Sequence, residues 1–228
     1  MTFKTDIYDL CKKVVIDFPG WKFTSGGQFK NSALKHSDLI IHLGFHFSGG
    51  LCTSVAPGVW VANKKVNKLA KLLIGHDLLP VSIMSFQIAY ELTRRTNVVG
   101  HIFATTGEPW RHSFITGDEA EPFLREVLSD GIALIERYFD LSSEEKLLRN
   151  LPTGYHRDDN WGPGVFYENL DGISHCLAAC VLGDFDFVER YASPDFKTMG
   201  PKREVELGKI LAALPELKRK FAETGSVI

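Results

Sequence analysis

Apolar residues recur first at helical spacing and then at every second position along this chain. The pattern over Thr5 to Phe18 predicts an amphipathic helix, which Pro19 and Gly20 end. From Trp21 the period changes to two, and the odd positions of His36 to Phe47 are all apolar from Leu39 onward. This alternation predicts one continuous strand over His36 to Phe47.

A hairpin and a capped helix are predicted next. Gly49 and Gly50 suit a two-residue turn into a second strand over Leu51 to Ala62, in which Pro57 and Gly58 indicate a bulge or an edge. Asn63 can cap a helix over Lys64 to Ile74 that ends at Gly75. The sequence therefore predicts an inserted helix within a largely antiparallel sheet.

Strand patterns continue to Ile115 and are then replaced by helical ones. We predict further strands over Met84 to Leu92, Val98 to Thr105 and Arg111 to Ile115. Capping-box patterns begin at Thr116 and Ser142. The helices predicted after Ile115 are a long one through Tyr138, a short one ending near Leu151, and then Val165 to Leu182, Asp186 to Ala192 and Pro201 to Glu223, the last interrupted at Pro215.

These elements predict an α+β fold with an N-terminal helix, a sheet and a C-terminal helical half. We expect a single domain over residues 1–228, with a mainly β subdomain at 1–115 and a helical subdomain at 116–228. No membrane span or leader is evident in the pattern, so we expect a cytoplasmic protein with no membrane partner. The four cysteines, Cys11, Cys52, Cys176 and Cys180, are interpreted as reduced core thiols.

The near-neutral net charge of −2 hides a segregated distribution. Residues 1–115 hold 13 Lys+Arg and 7 Asp+Glu, whereas residues 116–189 hold 5 and 16, a balance of −11. Residues 190–228 return to +3. A pattern of this kind affects the choice of partner and the rate of encounter.

A polar face of the predicted strands offers an enzyme hypothesis. A pocket would be built from His42, His46, Gln87 and His101, with Glu91 nearby. On one strand, however, His42 and His46 would be about 13 Å apart, too far to bind one ion alone. Motifs for zinc proteases, serine nucleophiles and phosphate loops are missing, and we expect neither a metal nor a cofactor.

Nucleic-acid binding is also not expected. The predicted helix at Lys64 has a basic outer face, formed by Lys64, Lys65, Lys68 and Lys71, and Arg94 and Arg95 add further charge. No aromatic strand motif or recognition-helix motif accompanies these residues. We interpret them as a solvated face.

The segment Pro152 to Gly164 combines the features of a loop with side chains that bind partners. Aromatic anchors and carboxylates together are typical of surfaces that capture a basic protein. The candidate contact residues are Tyr155, Asp158, Asp159, Trp161, Glu168 and Asp171, of which Glu168 and Asp171 would share one helix face. A merely solvated acidic surface is the other interpretation, and both stay open here.

The order of elements resembles that of a group of bacterial domains of unknown function. The residues that carry the resemblance are WKFTSGGQFKN, the strand HSDLIIHLGFHF, a hairpin, a lysine-rich helix and a long helix opening ITGDEAEPFLREVL, within Trp21 to Tyr138. The later stretch GISHCLAACVLGDFDFVERY resembles helical tails of such domains. These domains often occur among immunity proteins of polymorphic and contact-dependent toxin systems.

The resemblance implies a non-enzymatic, cytoplasmic protein that binds and neutralises a toxin domain. It carries no catalytic residue over to this chain. A metal-dependent or small-molecule enzyme is the alternative, and an oligomerising module that buries the polar sheet face is a third hypothesis. The oligomeric state and the identity of a toxin or substrate are not fixed by the sequence.

Overall fold

The computed structural model describes residues 3–32, 34–48, 51–55, 58–77, 81–83, 117–151, 154–157, 165–168, 172–196 and 202–228. The chain divides into two compact units, and each draws on separated stretches of sequence. Unit 1 comprises residues 1–33, 38–61 and 82–137, and unit 2 comprises residues 34–37, 62–81 and 138–228.

Nine strands lie in three sheets within the described part of the chain. A five-stranded sheet has the order β1-β2-β3-β6-β7, and β4-β5 and β8-β9 each form a two-stranded antiparallel sheet. The strands are β1 Trp21–Thr24, β2 Gln28–Asn31, β3 Ser37–His42, β4 Phe45–Ser48, β5 Leu51–Val55, β6 Gly58–Asn63, β7 Val81–Ile83, β8 Gly154–Arg157 and β9 Val165–Glu168.

Within the described residues, helices precede β1, follow β6 and make up most of the second half of the chain. The described helices are α1 Phe3–Val14, followed by a 3₁₀ turn at Val15–Asp17, α2 Lys64–Leu73, α3 Gly117–Tyr138, α4 Glu144–Arg149, α5 Gly172–Leu182, α6 Phe185–Ala192 and α7 Glu204–Thr224. The α+β fold class is thereby confirmed. None of the described helices is long and apolar enough to cross a membrane.

The core of unit 1 forms where β2 and β3 pair. Phe29 lies opposite Ile41 in the antiparallel register, and both side chains are fully buried. The Phe23 ring packs 5.3 Å from that of Phe29, and Tyr8 of α1 meets Phe23 edge to face at 5.2 Å. Helix α3 approaches Ile41 closely at Gly131, where an added Cβ would lie 2.8 Å from a methyl group of Ile41. The glycine therefore lets the helix backbone reach the sheet.

The core of unit 2 surrounds helix α5. Its residues from Gly172 to Cys180 are buried on every face except at His175, as expected for a helix with no polar side. The described helices that contact it are α2, α4, α6 and α7. Buried residues of α7 that complete this core are Leu207, Ile210, Leu214 and Leu217.

The continuous strand predicted over His36 to Phe47 is wrong. The structure has two strands there, β3 and β4, which belong to different sheets. Gly44 separates them with a φ of +61°, a left-handed conformation that interrupts an extended ladder and suits glycine. The strand predicted over Leu51 to Ala62 divides in the same way into β5 and β6.

The predicted hairpin and inserted helix are confirmed. Strands β4 and β5 pair antiparallel with Ser48 opposite Leu51. Asn63 caps α2 through its Oδ1, which accepts from the backbone N–H groups of Lys65 at 3.0 Å and Val66 at 3.1 Å. The helix buries Val66, Leu69 and Ala70, as its period predicts.

The structure differs from the prediction at one helix cap and at one predicted helix interruption. Ser143, not Ser142, caps α4 by accepting from Lys146 N–H, while the Ser142 hydroxyl donates to Asp140. Helix α7 also continues through Pro215 without interruption. Its buried residues lie on both sides of the proline, so packing holds the two halves as one helix.

Several predicted elements lie outside the described residues. These are the strands over Met84 to Leu92, Val98 to Thr105 and Arg111 to Ile115, and the cap at Thr116. Of the predicted core thiols, Cys11, Cys176 and Cys180 are buried and form no disulfide. Burial raises the pKa of Cys11 and that of Cys180 to about 12, so both thiols are protonated at neutral pH.

Candidate partner-binding site

Strands β8 and β9 form a hairpin within unit 2 that contains part of the predicted contact residues. Gly154 pairs with Glu168, Tyr155 with Tyr167 and Arg157 with Val165. The hairpin is a sheet of its own, separate from the five-stranded one. Because Arg157 pairs with Val165, the connection between the strands begins and ends at directly opposed positions.

The hairpin corrects two sequence predictions. Pro152 to Gly164 is not a loop throughout, since residues 154–157 form β8. The helix predicted over Val165 to Leu182 starts only at Gly172, and its first four predicted residues form β9. The apolar residues Val165 and Phe166 fit the helical period of the following segment, but β-branched and aromatic residues equally favour a strand once a partner strand is present.

The first turn of α5 packs closely against α6. A Cβ added to Gly172 would lie 1.9 Å from the Tyr191 hydroxyl oxygen and 2.1 Å from the adjacent ring carbon. The buried tyrosine ring therefore occupies the space that a side chain would need at this position. This contact lets the first turn of α5 lie directly against α6.

The structure locates two of the six predicted contact residues. Tyr155 lies in β8 and Glu168 ends β9, at neighbouring and not opposed register positions. Glu168 belongs to a strand, so the helix face that it was predicted to share with Asp171 is wrong. The other four, Asp158, Asp159, Trp161 and Asp171, lie outside the described residues.

Many of the acidic side chains in residues 116–189 are engaged within the protein. Glu121 pairs with Arg125 at 2.9 Å and with Lys13 at 3.2 Å, and Glu189 pairs with Lys218 at 2.5 Å. Glu145 pairs with Arg149 at 3.0 Å. Lys13 and Lys218 lie outside the acidic segment, so they offset part of its charge. The −11 balance is therefore not a uniformly exposed negative surface.

Other carboxylates stabilise turns and helix ends. Asp184 caps α6 by accepting from Phe187 N–H at 3.2 Å. Hydrogen bonds from the Ser142 hydroxyl and backbone N–H hold the pKa of Asp140 below its usual range. The hydrogen bonds from Arg125 and then Lys13 lower the pKa of Glu121 in the same way. Glu136 and Asp186, by contrast, are exposed on their helices.

Sequence reasoning missed a polar cluster in unit 2 that centres on Glu144. The Ser37 hydroxyl donates to Glu144 Oε2 at 2.7 Å, and Asn63 Nδ2 donates to the same oxygen at 3.1 Å and to Ser37 Oγ at 2.8 Å. The backbone N–H of His36 donates to Glu144 Oε1. No local signal could have found this cluster, because its members come from three distant parts of the sequence.

The Glu144 cluster has the geometry of a structural link. A serine nucleophile needs a base that accepts its proton and is oriented by a third group, and a histidine commonly takes that role. Here the Ser37 hydroxyl donates directly to a carboxylate that already accepts two other hydrogen bonds. The arrangement satisfies buried polar groups where β3, α2 and α4 begin or end.

The predicted histidine pocket is not assembled by the described residues. His42 lies on β3 and stacks on Trp60 of β6, with ring centroids 5.2 Å apart and an interplanar angle of 22°. His46 lies on β4 in another sheet, so the prediction that both histidines share one strand is wrong. Gln87, Glu91 and His101 lie outside the described residues.

A metal centre is not found in the described part of the chain either. No group of three or more His, Cys, Asp or Glu side chains there could hold a metal ion.

Comparison with known proteins adds no relative. No family model, curated protein or solved structure matches the chain. The resemblance to toxin-immunity domains stays a prediction from the sequence.

Proposed function

We propose that this chain is a cytoplasmic protein-binding protein, an immunity protein that neutralises a toxin domain by binding it. The contact element is the β8–β9 hairpin with its connecting and following residues, 152–171. The single observation that carries the proposal is the pairing of β8 with β9. It gives residues 154–157 and 165–168 of a segment rich in aromatic and acidic residues a defined antiparallel register.

Charge supports a basic partner for this element. Residues 152–171 contain the acids Asp158, Asp159, Glu168 and Asp171 and, among Lys and Arg, only Arg157. Elsewhere in the acidic segment, described carboxylates such as Glu121 and Glu189 already pair with cations. Residues 152–171 thus combine, within twenty positions of sequence, four acidic residues with Tyr155 and Trp161, residue types that are enriched among binding hot spots at protein interfaces.

A partner of this kind has a basic surface, as toxins that act on nucleic acids do around their clefts. The acidic residues steer its approach, and the aromatic residues supply apolar contact area. Association is expected to slow as ionic strength rises, because salt screens the attraction between exposed charges.

The test is a charge reversal in the hairpin. The double variant Asp158→Lys, Asp159→Lys is expected to bind the toxin domain that this chain neutralises at least about tenfold more weakly, which is about 1.4 kcal/mol. Titration calorimetry at low and physiological salt measures the dissociation constant. The reason is that like charges opposed across an interface repel.

A matched control changes the same charge elsewhere in residues 116–189. Glu136→Lys with Asp186→Lys alters two exposed acids on α3 and α6. It should retain most of the affinity. Unchanged affinity of the hairpin variant at low salt would overturn the proposal, and an equal loss in both variants would show that only the total charge matters.

A further inference from the structure

The outward face of α2 in unit 2 carries an unusual concentration of one charge. Lys64, Lys65, Lys68 and Lys71 are all exposed, and α2 contains no acidic residue. Successive α-carbons rise 1.5 Å along a helix, so these lysines lie within about 11 Å along its axis. Neighbouring lysines in the set are at most three residues, or about 4.5 Å, apart along the axis, which is well within the Debye length of about 8 Å at physiological salt, and the cluster therefore acts on a partner as one site.

The lysine positions are unfavourable for the helix itself. Lys64 and Lys65 occupy the first turn, where the helix dipole favours anions and disfavours cations. Lys68 lies four residues from Lys64 and three from Lys65 and Lys71, so like charges face one another along the helix. For Lys65, Lys68 and Lys71, helix stability therefore does not explain the repeated positive charge, and departures from local rules are typical of functional surfaces.

Apolar side chains are exposed beside the lysines. Leu72, in the last turn of α2, is 65% exposed, and Val205, in the first turn of α7, is 73% exposed. The two helix ends are adjacent, because Lys209 of α7 donates to the Ile74 carbonyl at 3.1 Å. Of all large hydrophobic side chains that the structure describes, these two and Ile16 are the exposed ones.

We infer that this surface, defined by Lys65, Lys68, Lys71 and Leu72, binds an acidic polypeptide segment that also carries an apolar side chain. Carboxylates of the partner would neutralise lysines whose charges oppose each other, and its apolar residue would cover Leu72. The partner's acids would be spaced three or four residues apart on a helix, to match the lysine spacing. This surface is distinct from the hairpin and has the opposite charge, so the inference does not depend on the proposed function.

Other polyanions fit the surface less well. Helix α2 has no arginine and no aromatic residue, which are the groups that bind bases by bidentate hydrogen bonds or stacking. A membrane-surface helix inserts a broad apolar face, whereas Val66, Leu69 and Ala70 of α2 are buried in the protein. The negative net charge of the chain also opposes long polyanions that extend beyond the site.

The probe for the test is a fluorescein-labelled helical peptide of about four turns built from Glu-Glu-Leu-Ala repeats. Its affinity for the full chain is measured by fluorescence anisotropy at low salt. A matched peptide with glutamine in place of glutamate should bind at least tenfold more weakly. We expect the double variant Lys65→Glu, Lys68→Glu to bind the acidic peptide at least about tenfold more weakly than the unsubstituted chain, and Leu72→Ala several-fold more weakly.

The control variant Lys22→Glu with Arg190→Glu changes the net charge by the same amount at two exposed positions outside α2. It should reduce peptide affinity less than threefold. All variants are compared by circular dichroism and thermal unfolding, and Lys65→Gln with Lys68→Gln repeats the test without introducing acids.

Four outcomes would overturn the inference. One is an equal loss in the control variant, which would make the effect one of total charge. The second is that the chain binds a duplex DNA oligonucleotide more tightly than the peptide and that the α2 variant loses this binding. The third is the same result with phosphatidylcholine–phosphatidylserine vesicles in place of DNA. The fourth is self-association in sedimentation that the α2 variant abolishes, which would make a second copy of this chain the occupant.

Discussion

Two glycines in helices of unit 2 lie in opposite surroundings. At Gly172 an added Cβ would lie 1.9 Å from the Tyr191 hydroxyl oxygen, whereas at Gly208 it would have no neighbour within 4 Å. The first glycine is required by packing between α5 and α6. The second lies exposed inside α7, where glycine only lowers helix stability.

Alanine substitutions at these two glycines should therefore change stability in opposite directions. Gly172→Ala is expected to lower the free energy of unfolding by about 1–3 kcal/mol, because the ring of Tyr191 has to move. Gly208→Ala is expected to raise it by about 0.4–1 kcal/mol, because the unfolded chain loses freedom. Denaturant unfolding of both variants measures the difference, and shifts of the same sign would contradict the packing described at Gly172.

At the scale of elements, Asn63 joins the end of β6, the start of α2 and the start of α4. Its Oδ1 caps α2, and its Nδ2 donates to Ser37 and Glu144. The Lys64 backbone N–H donates to the His36 carbonyl at 2.8 Å beside it. One buried side chain thus satisfies groups from three stretches of chain that lie far apart in sequence.

Replacing Asn63 by alanine should lower the free energy of unfolding by about 1–3 kcal/mol, since it removes a cap and leaves buried partners unsatisfied. Asn67→Ala, within the same helix, serves as the control and should change stability by less than about 0.5 kcal/mol. Asn63→Asp keeps the acceptor of the cap but loses both donors and adds a carboxylate near Glu144. If N63D were as stable as the unsubstituted chain, the amide donors would contribute nothing.

Features set by neighbouring residues were predictable from the sequence. The cap at Asn63, the buried stripe of α2 and the β4–β5 hairpin depend on side chains a few positions apart. The division of residues 36–47 was not predictable, because it depends on the φ of Gly44 and on which sheet each half joins. Continuity of α7 through Pro215 likewise depends on packing in the folded unit.

The candidate site was predictable in part for the same reason. The aromatic and acidic composition of the segment identifies Tyr155 and Glu168 as candidate contact residues. Their strands, however, exist only because residues 154–157 pair with residues 165–168. Pairing between strands this far apart in sequence leaves no periodic pattern of apolar residues. The apolar residues of β9 instead continue the helical spacing of those in α5. The Glu144 cluster left no signal because Ser37, Asn63 and Glu144 meet only after folding.

At the scale of the whole molecule, the reactivity of the cysteine thiols measures how far the folded protein has unfolded. Cys11 of unit 1 and Cys176 and Cys180 of unit 2 are three of the chain's four cysteines, and all three are buried. The pKa of Cys11 and Cys180 is raised by burial to about 12, so little thiolate forms in the native state. An unfolded cysteine has a pKa of about 8.5 and reacts readily.

The native protein at about pH 8 should therefore react rapidly with Ellman's reagent at no more than one thiol, and at all four once unfolded in guanidinium. At about pH 9 the thiolate of the buried Cys11 and Cys180 should still be below about 1% of either thiol, because the folded pKa of about 12 lies well above this pH, so their reaction should stay far slower than that of an exposed thiol. The Cys52→Ser variant should then show no fast thiol. Rapid reaction of two or more thiols in the native protein would contradict the burial of these side chains.

The division of the chain into interleaved stretches has a consequence for its synthesis. Residues 34–37 and 62–81 belong to unit 2, yet they leave the ribosome well before residues 138–228. Helix α2 packs against α5 and α7 of that later stretch. A nascent chain therefore carries α2 without the helices that cover its apolar face until α5 and α7 have emerged, so the core of unit 2 can form only after both are synthesised.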